Sequence, residues 1–204
     1  MDSSECDLCY VVDDSLKNGN NSQVENRLLY STKSFIVTPC IGPLVPGHIM
    51  IVSKKHYENL SCMDIDTINE INEINQLLFG KLNKYYSDCI IAEHGAYDFQ
   101  QKSGACIIHT HLHIIPKSRK SIETFDKLLI YIELNDLSEL IKIKYPYILV
   151  TSNKFLKIYN AENVPSQMIR RIVLASKGET KNWDWRTNSN NNYNKQTLKI
   201  WDNV

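Results

Sequence analysis

An α+β fold is what this sequence predicts, and three observations predict it. Short runs rich in β-branched residues fall at 27–37, 47–53, 88–93 and 105–115 and read as strands. Residues 63–86 place Ile65, Ile68, Ile71, Ile74, Leu78 and Leu82 three or four apart, the spacing of an amphipathic helix with one buried face. After Pro116 the texture changes, which divides the chain into a first unit over 1–116 and an extension over 117–204 packed on it. A chain of 204 residues suits one domain with a substantial annex.

Taken in order, the chain begins with a pair of cysteines in Cys6-Asp-Leu-Cys9, and the polar, turn-rich 13–26 reads as a loop to the first strand. Strands 27–37 and 47–53 are joined by 38–47, which holds three of the six prolines and suits the rim of a site or a tight corner. Helix 63–86 over-uses Asn, so it depends on packing rather than on propensity. Strand 88–93 then leads through a loop to strand 105–115. In the extension, 124–143 reads as helix, and 147–151 with 155–159 as a hairpin. Pro165 opens a short helix through about Ser176, and the Asn-rich 187–196 reads as a loop. Cys40, Cys62 and Cys89 lie in apolar surroundings and read as small buried hydrophobes.

Composition excludes several classes of function. Lys and Arg number 23 against 23 Asp and Glu, a formal charge of zero that argues against non-specific nucleic-acid binding. No apolar run approaches the roughly 20 residues of a membrane span, and the acidic Met1-Asp-Ser-Ser-Glu-Cys6 has no apolar signal segment. Six cysteines are too few for a disulfide scaffold. The expectation is a soluble, cytoplasmic protein with neither nucleic acid nor membrane as partner.

The chemistry concentrates in Ile107-Ile-His-Thr-His-Leu-His-Ile-Ile-Pro116. Side chains alternate along a strand, so His109, His111 and His113 are expected on one face, with Thr110, Leu112 and Ile114 on the other. Packing does not account for three aligned imidazoles, since each buried ring needs a hydrogen-bond partner. Two chemistries fit. The row could chelate a metal, although a span of about 13 Å at ~3.3 Å per residue is long beside Zn–N bonds of about 2.1 Å, so that adjacent members such as His109 and His111 would share it. Alternatively one imidazole is a nucleophile that its neighbours orient; neutral imidazole is available near pH 7, its unperturbed pKa being about 6.5.

At these residues the chain resembles the histidine triad family, whose motif is His-x-His-x-His followed by two apolar residues. Upstream, Pro46-Gly-His-Ile-Met-Ile-Val-Ser-Lys-Lys-His56 resembles the family's Gly-His, apolar strand and Lys-x-His segment, and Cys6-Asp-Leu-Cys9 its N-terminal Cys-x-x-Cys. The motifs fall in the family's order over residues 6–116. Glu93-His-Gly95, Pro165-Ser-Gln, Arg170-Arg and Trp183-Asp-Trp-Arg resemble a bacterial-type branch with a C-terminal extension.

The resemblance implies an antiparallel sheet of about five strands with a long packed helix, followed by an α/β extension. It implies a nucleotide phosphohydrolase acting on phosphoanhydride or phosphoramidate bonds, as in dinucleoside polyphosphates or nucleoside phosphoramidates. His111 is then the nucleophile that forms a covalent nucleotidyl-histidine, His113 assists through the phosphate or leaving group, and His48 fixes or polarises the triad. A third histidine, where the uridylyltransferase branch has Gln, favours hydrolysis. Zinc-bearing relatives use the equivalents of Cys6, Cys9, His56 and His109, which implies a closed structural zinc site tethering the N-terminus to the catalytic strand. Paired sheets imply a homodimer; an extension hairpin covering that edge leaves a monomer.

The chain departs from the family's pattern in three places. Many relatives carry Gly-Gln-Ser before the triad, where this sequence has Gly104-Ala105-Cys106. Main-chain N–H groups there can still bind phosphate, but the Gln amide is missing. Cys40 stands where relatives often have an acidic residue for ribose, and His94 near a phosphate-facing Asn. In the extension, Trp183, Trp185 and Arg186 either cover the site or fix the annex to the sheet. Lys117, Arg119, Arg170 and Arg171 are the cations that could reach a polyphosphate, with adjacent Arg170 and Arg171 unable to share one helix face. The rivals to hydrolysis are nucleotidyl transfer through the same intermediate and a zinc-stabilised nucleotide-binding module with little turnover.

Overall fold

Every strand of the molecule lies in one sheet among the residues that the structure, a computed structural model, describes: 6–80, 82–96, 107–152, 154–187 and 190–203. The strands are β1 (Tyr30–Ser31), β2 (Phe35–Pro39), β3 (Ile49–Ser53), β4 (Ile90–Gly95), β5 (His111–Ile115), β6 (Tyr131–Glu133), β7 (Tyr147–Ser152) and β8 (Phe155–Asn160). They lie in the order β1-β2-β3-β5-β4-β7-β8-β6, and every pair is antiparallel. Eight strands rather than about five arise because the extension continues the sheet: β7 pairs with β4 along the edge that β5 leaves open.

Both faces of the sheet are covered, which is why β2 and β3 are buried along their whole length. On one face α2 (Ile65–Gly80) lays Ile68, Ile71, Ile74 and Leu78 against Phe35, Ile51, Leu112 and Leu149. The expected helix 63–86 divides at Gly80, its end forming the short α3 (Asn83–Tyr86). The other face carries two separate apolar clusters. The first joins Leu8, Val11 and Val12 of α1 (Asp7–Asn18) to Ile36, Met50 and Val52. The second joins Ile169, Ile172 and Val173 of α5 (Met168–Ala175) to Ile90, Ala92, Ile148 and Val150. The middle strand β5 runs under the gap between these clusters.

Several sequence expectations are corrected. Residues 13–18, read as loop, continue α1, because Leu8, Val11, Val12 and Ser15 recur on one buried face and Gly19, at φ 53°, ends the helix. The strand read over 27–37 divides into β1 and β2. That read over 105–115 starts only at His111, with 105 and 106 outside the described residues. Residues 124–143 are not one helix. They form α4 (Ser121–Leu128), β6 and a 3-10 turn over Leu137–Lys142 that Asp136 and Glu139 cap reciprocally. The short helix read from Pro165 starts three residues later at Met168. The Asn-rich loop is mostly α6 (Asn191–Asp202): the Asn190 side chain caps it by accepting from Tyr193 N, and Asn194 is buried, donating to Cys40 O. Cys40 and Cys89 are buried as expected, whereas Cys62 is exposed at the end of a 3-10 turn.

Candidate active site and metal centre

The alternation of β5 turns His111 and His113 into the gap between α1 and α5, while Leu112 and Ile114 enter the core on the α2 side. Their rings lie 5.1 Å apart at 79°. His111 Nδ1–H donates to the carbonyl oxygen of His109 at 2.7 Å, so the lone pair of the neutral ring sits on Nε2. Burial holds His111 below its ordinary pKa of 6.5, which keeps that lone pair unprotonated near neutral pH.

His48 and His113 are tied by a chain of hydrogen bonds that fixes both tautomers. Leu44 N–H donates to His48 Nδ1 at 3.1 Å, so the His48 proton is on Nε2, 3.1 Å from His113 Nδ1. His113 accepts there and carries its own proton on Nε2. Burial first, then the neighbouring positive charges, push both rings well below 6.5, consistent with two neutral imidazoles. Cys40 Sγ lies 4.0 Å from His113 Nδ1, and Cys40, His48 and His113 bring their donor atoms together. A proton on His48 Nε2 is incompatible with a metal at that group.

His109 has a different place from the one its spacing suggests. It precedes β5, and its ring is turned away from His111 toward the start of α1. Its Nε2–H donates to Ser53 O at 2.8 Å, which leaves Nδ1 to face Cys6 Sγ at 3.4 Å and Cys9 Sγ at 3.5 Å. Cys9 Sγ is also 3.3 Å from His56 Nδ1. The four donor atoms of Cys6, Cys9, His56 and His109 all lie within 4.8 Å of one another. Tetrahedral zinc with S and N ligands has edges of about 3.3–3.8 Å, so these separations fit the ion. The donor chemistry fits as well. Burial pushes the Cys9 thiol up to about 11, with Cys6 adding to it, so the Cys9 thiol keeps its proton until a cation replaces it. Burial holds His109 down to about 4, so its Nδ1 stays unprotonated.

The pocket over His111 and His113 encloses about 50 Å3. Cys40 and His94, both expected at a substrate site, line it; Gly104, Ala105 and Cys106 lie outside the described residues. Burial and nearby His111 hold His94 down to about 4, and its buried Nε2 has no hydrogen-bond partner among the described residues. Besides Ile41, Gly42, Met50 and Ile107, walls come from both ends of the chain: Leu8 of α1 on one side, and Gln167, Ile169, Arg170 and Trp185 of the extension on the other. Gln167 braces its wall from a left-handed conformation at φ 59°, donating to Asp184 Oδ1 at 3.0 Å and accepting from Trp185 N at 3.1 Å. Gly42 lets this wall approach, because a Cβ there would stand 2.6 Å from Trp185 Cβ. Sequence reasoning gave no site role to Leu8, Gln167 or Ile169; Gln167 stood in the quoted Pro165-Ser-Gln, and the other two show only apolar periodicity. Arg170 and Arg171 do diverge: Arg170 is buried at the pocket, and Arg171 stacks on Trp183 at 3.3 Å.

Comparison with known proteins places these elements beside others of similar sequence. The HIT domain model matches residues 21–120. An uncharacterized HIT-like protein of Chlamydia muridarum is 30% identical over 98 residues, 45% of this chain and 71% of that protein. One of Borreliella burgdorferi is 24% identical over 125 residues, 55% of this chain and 76% of that protein. Among solved structures, a Zn-bound histidine triad family protein from Mycobacterium smegmatis superposes with a TM-score of 0.40 at 20% identity, covering 69% of this chain and 90% of that one.

Proposed function

Since this chain belongs to the histidine triad family, we propose that it is a nucleotide phosphohydrolase that works through a covalent nucleotidyl-histidine at His111. The observation that carries this reading is the 2.7 Å hydrogen bond from His111 Nδ1 to the His109 carbonyl, which leaves Nε2 as the one unprotonated ring nitrogen of His111. In the first step a bond forms from His111 Nε2 to the α-phosphorus while the P–O or P–N bond to the leaving group breaks; the leaving group takes the electron pair, and a departing amine also takes a proton from solvent. In the second, water attacks phosphorus, its proton passes to solvent, and the electron pair of the Nε2–P bond returns to His111.

The tautomer chain gives His113 a defined part. Full proton donation from Nε2 would leave an imidazolate, or would have to draw the proton of buried His48 or of the buried Cys40 thiol onto its Nδ1. His113 is therefore a hydrogen-bond donor to charge developing on oxygen rather than a general acid.

Zinc would be held by Cys6, Cys9, His56 and His109, where the closed donor set supplies structural rather than Lewis-acid chemistry. It would tie α1, and with it Leu8, to the segment whose His109 carbonyl orients His111.

The test is to incubate wild type and His111→Ala with dinucleoside polyphosphates and adenosine phosphoramidates, following product release and intact mass. Wild type should turn over at least one class and show a transient nucleotidyl adduct that His111→Ala lacks. Equal turnover by the variant, or nucleotide binding by wild type with neither turnover nor adduct, would overturn the reading.

A further inference from the structure

Cys6 and Cys9 hold positions that a metal site alone does not require. Cys6 is the residue on which α1 begins, extended at φ −98° and ψ 117°, and Cys9 stands three residues on, in the first turn of the helix. Their sulfurs lie within 4.8 Å of one another, together with the ring nitrogens of His56 and His109. Both cysteines are half-buried, whereas Cys40 faces His113, Cys89 is buried and Cys62 stands exposed, each outside this group. Two cysteines so placed can close to a disulfide without unwinding the helix. Cys6 lies outside the first helical turn, and the bond asks only for a Cα separation of about 4.4–6.8 Å.

The residue between them connects the pair to the triad. Leu8 is fully buried, shares a cluster with Ile36, Met50 and Val52, and lines the pocket over His111 and His113. Ile107, two residues before His109, packs on the same cluster and lines the same pocket. The four donors thus join Leu8 to Ile107, the one through Cys6 and Cys9, the other through His109. The opposite wall has anchors of its own, Arg170 donating to Gly42 O and Trp183 O, and Gln167 to Asp184. The catalytic strand is also held independently: His109 Nε2 donates to Ser53 O, and Thr110 N to Tyr57 O at 2.7 Å.

We propose that Cys6 and Cys9 are a peroxide-sensitive dithiol whose closure to a disulfide dismantles the metal centre and frees the α1-side wall of the triad pocket. This rests on the zinc reading above and not on the hydrolase reading. Metal coordination keeps both sulfurs as thiolates, the form that reacts with hydrogen peroxide. One thiolate attacks a peroxide oxygen; the O–O bond breaks, hydroxide leaves with the electron pair, and a sulfenic acid remains. The second thiolate attacks that sulfur, the S–S bond forms, and the S–O bond breaks with loss of a second hydroxide. The two sulfurs give up two electrons, one peroxide is reduced, and two protons from solvent complete two waters. The disulfide offers no anionic sulfur, so only His56 and His109 remain of the four donors. Leu8 is then held by its apolar contacts alone.

The experiment treats zinc-loaded wild type and Cys62→Ser with hydrogen peroxide, follows released zinc with a chromogenic chelator, and maps the cysteines by mass spectrometry. Both proteins should release about one zinc per chain as a Cys6–Cys9 disulfide forms, and dithiothreitol with added zinc should restore the starting state. In the oxidised form, amide exchange over residues 7–12 should be at least about tenfold faster, and diethylpyrocarbonate should modify His111 faster by a similar factor, while exchange in α5 is unchanged. Leu8→Ala should release zinc as wild type does, yet have His111 reactive before oxidation. The wild-type measurements decide the matter even if that variant fails to fold. A disulfide through Cys40, Cys62, Cys89 or Cys106 would overturn the proposal. So would a Cys6–Cys9 disulfide that leaves α1 exchange and His111 labelling unchanged. Zinc absent from the reduced protein defeats the metal centre itself, whereas zinc retained by the disulfide form defeats only the redox switch.

Discussion

Burial lifts the Glu93 carboxyl to about 8, against the pull of the Tyr147 hydroxyl at 2.5 Å and of Leu60 N–H at 3.1 Å. The folded protein therefore holds a proton there that the unfolded chain, near 4.3, releases. Over the window from about 4.5 to 8 the native state binds more protons, so this residue's contribution to stability falls as pH rises, by at most about 1.4 kcal/mol per pH unit. Glu93→Gln should flatten that slope, and urea unfolding of both proteins between pH 5 and 8 would show it; parallel slopes would refute the raised pKa. Residue identity was more legible in the sequence than residue environment. A period of two was enough to put His111 and His113 together, because both lie within one strand. It failed for His109, since β5 begins two residues later and the chain turns the ring toward Cys6 and Cys9. Nothing in local spacing marks where a strand starts. The Glu93–Tyr147 contact was hidden for a related reason: its partners stand 54 residues apart and meet only when β7 pairs with β4.

At the scale of elements, α1 is held along one side by its apolar face and at its N-terminal end by the cysteine and histidine donors. Metal analysis should find about one zinc per chain. Stripping it with a chelator should accelerate amide exchange in α1 and lower the unfolding temperature, while α5 on the far side of the pocket keeps its protection. Uniform loosening of both helices, or no metal in protein purified without chelators, would contradict the structural site. The apolar periodicity of α2 was plain in the sequence, and so was the hairpin of β7 and β8. Helix α6 was not. Its Asn-rich segment has the composition of a loop, and it is helical because Asn190 caps it and because Asn194 and Thr197 bond to Cys40 O and Gly47 N of the core. Tertiary contacts outweigh propensity there. The stretch 124–143 misled in the opposite direction, its helical texture concealing the capping box at Asp136 that starts a new turn.

For the whole molecule, the decisive join is β4 against β7. Gly95 leaves room for it: a Cβ there would come within 2.5 Å of the Tyr147 ring. With β7 in place, a dimer formed through the β4 edge would require the extension to leave, so the mass expected from light scattering is that of one chain, 23.6 kDa. Residues 1–116 expressed alone should lose cooperative unfolding and aggregate, because the β4 edge is bared and Glu93 loses Tyr147. A well-folded, monomeric fragment would contradict that. The change of texture after Pro116 was visible in the sequence, but strand partners across such a break carry no local signal.

The pocket also has a history within each chain. Its walls pair Leu8 with Arg170 and Trp185, and Gly42 O waits for a guanidinium 128 residues later. Closing such long loops comes late in folding. On a ribosome that releases the N-terminus first, the triad residues are synthesised long before the wall that Arg170 and Trp185 complete. Each newly made chain thus carries its histidines through an interval in which neither the pocket nor the β4 edge is closed. Synthesis of the last third of the chain, rather than of the triad itself, is the event that seals the chemistry.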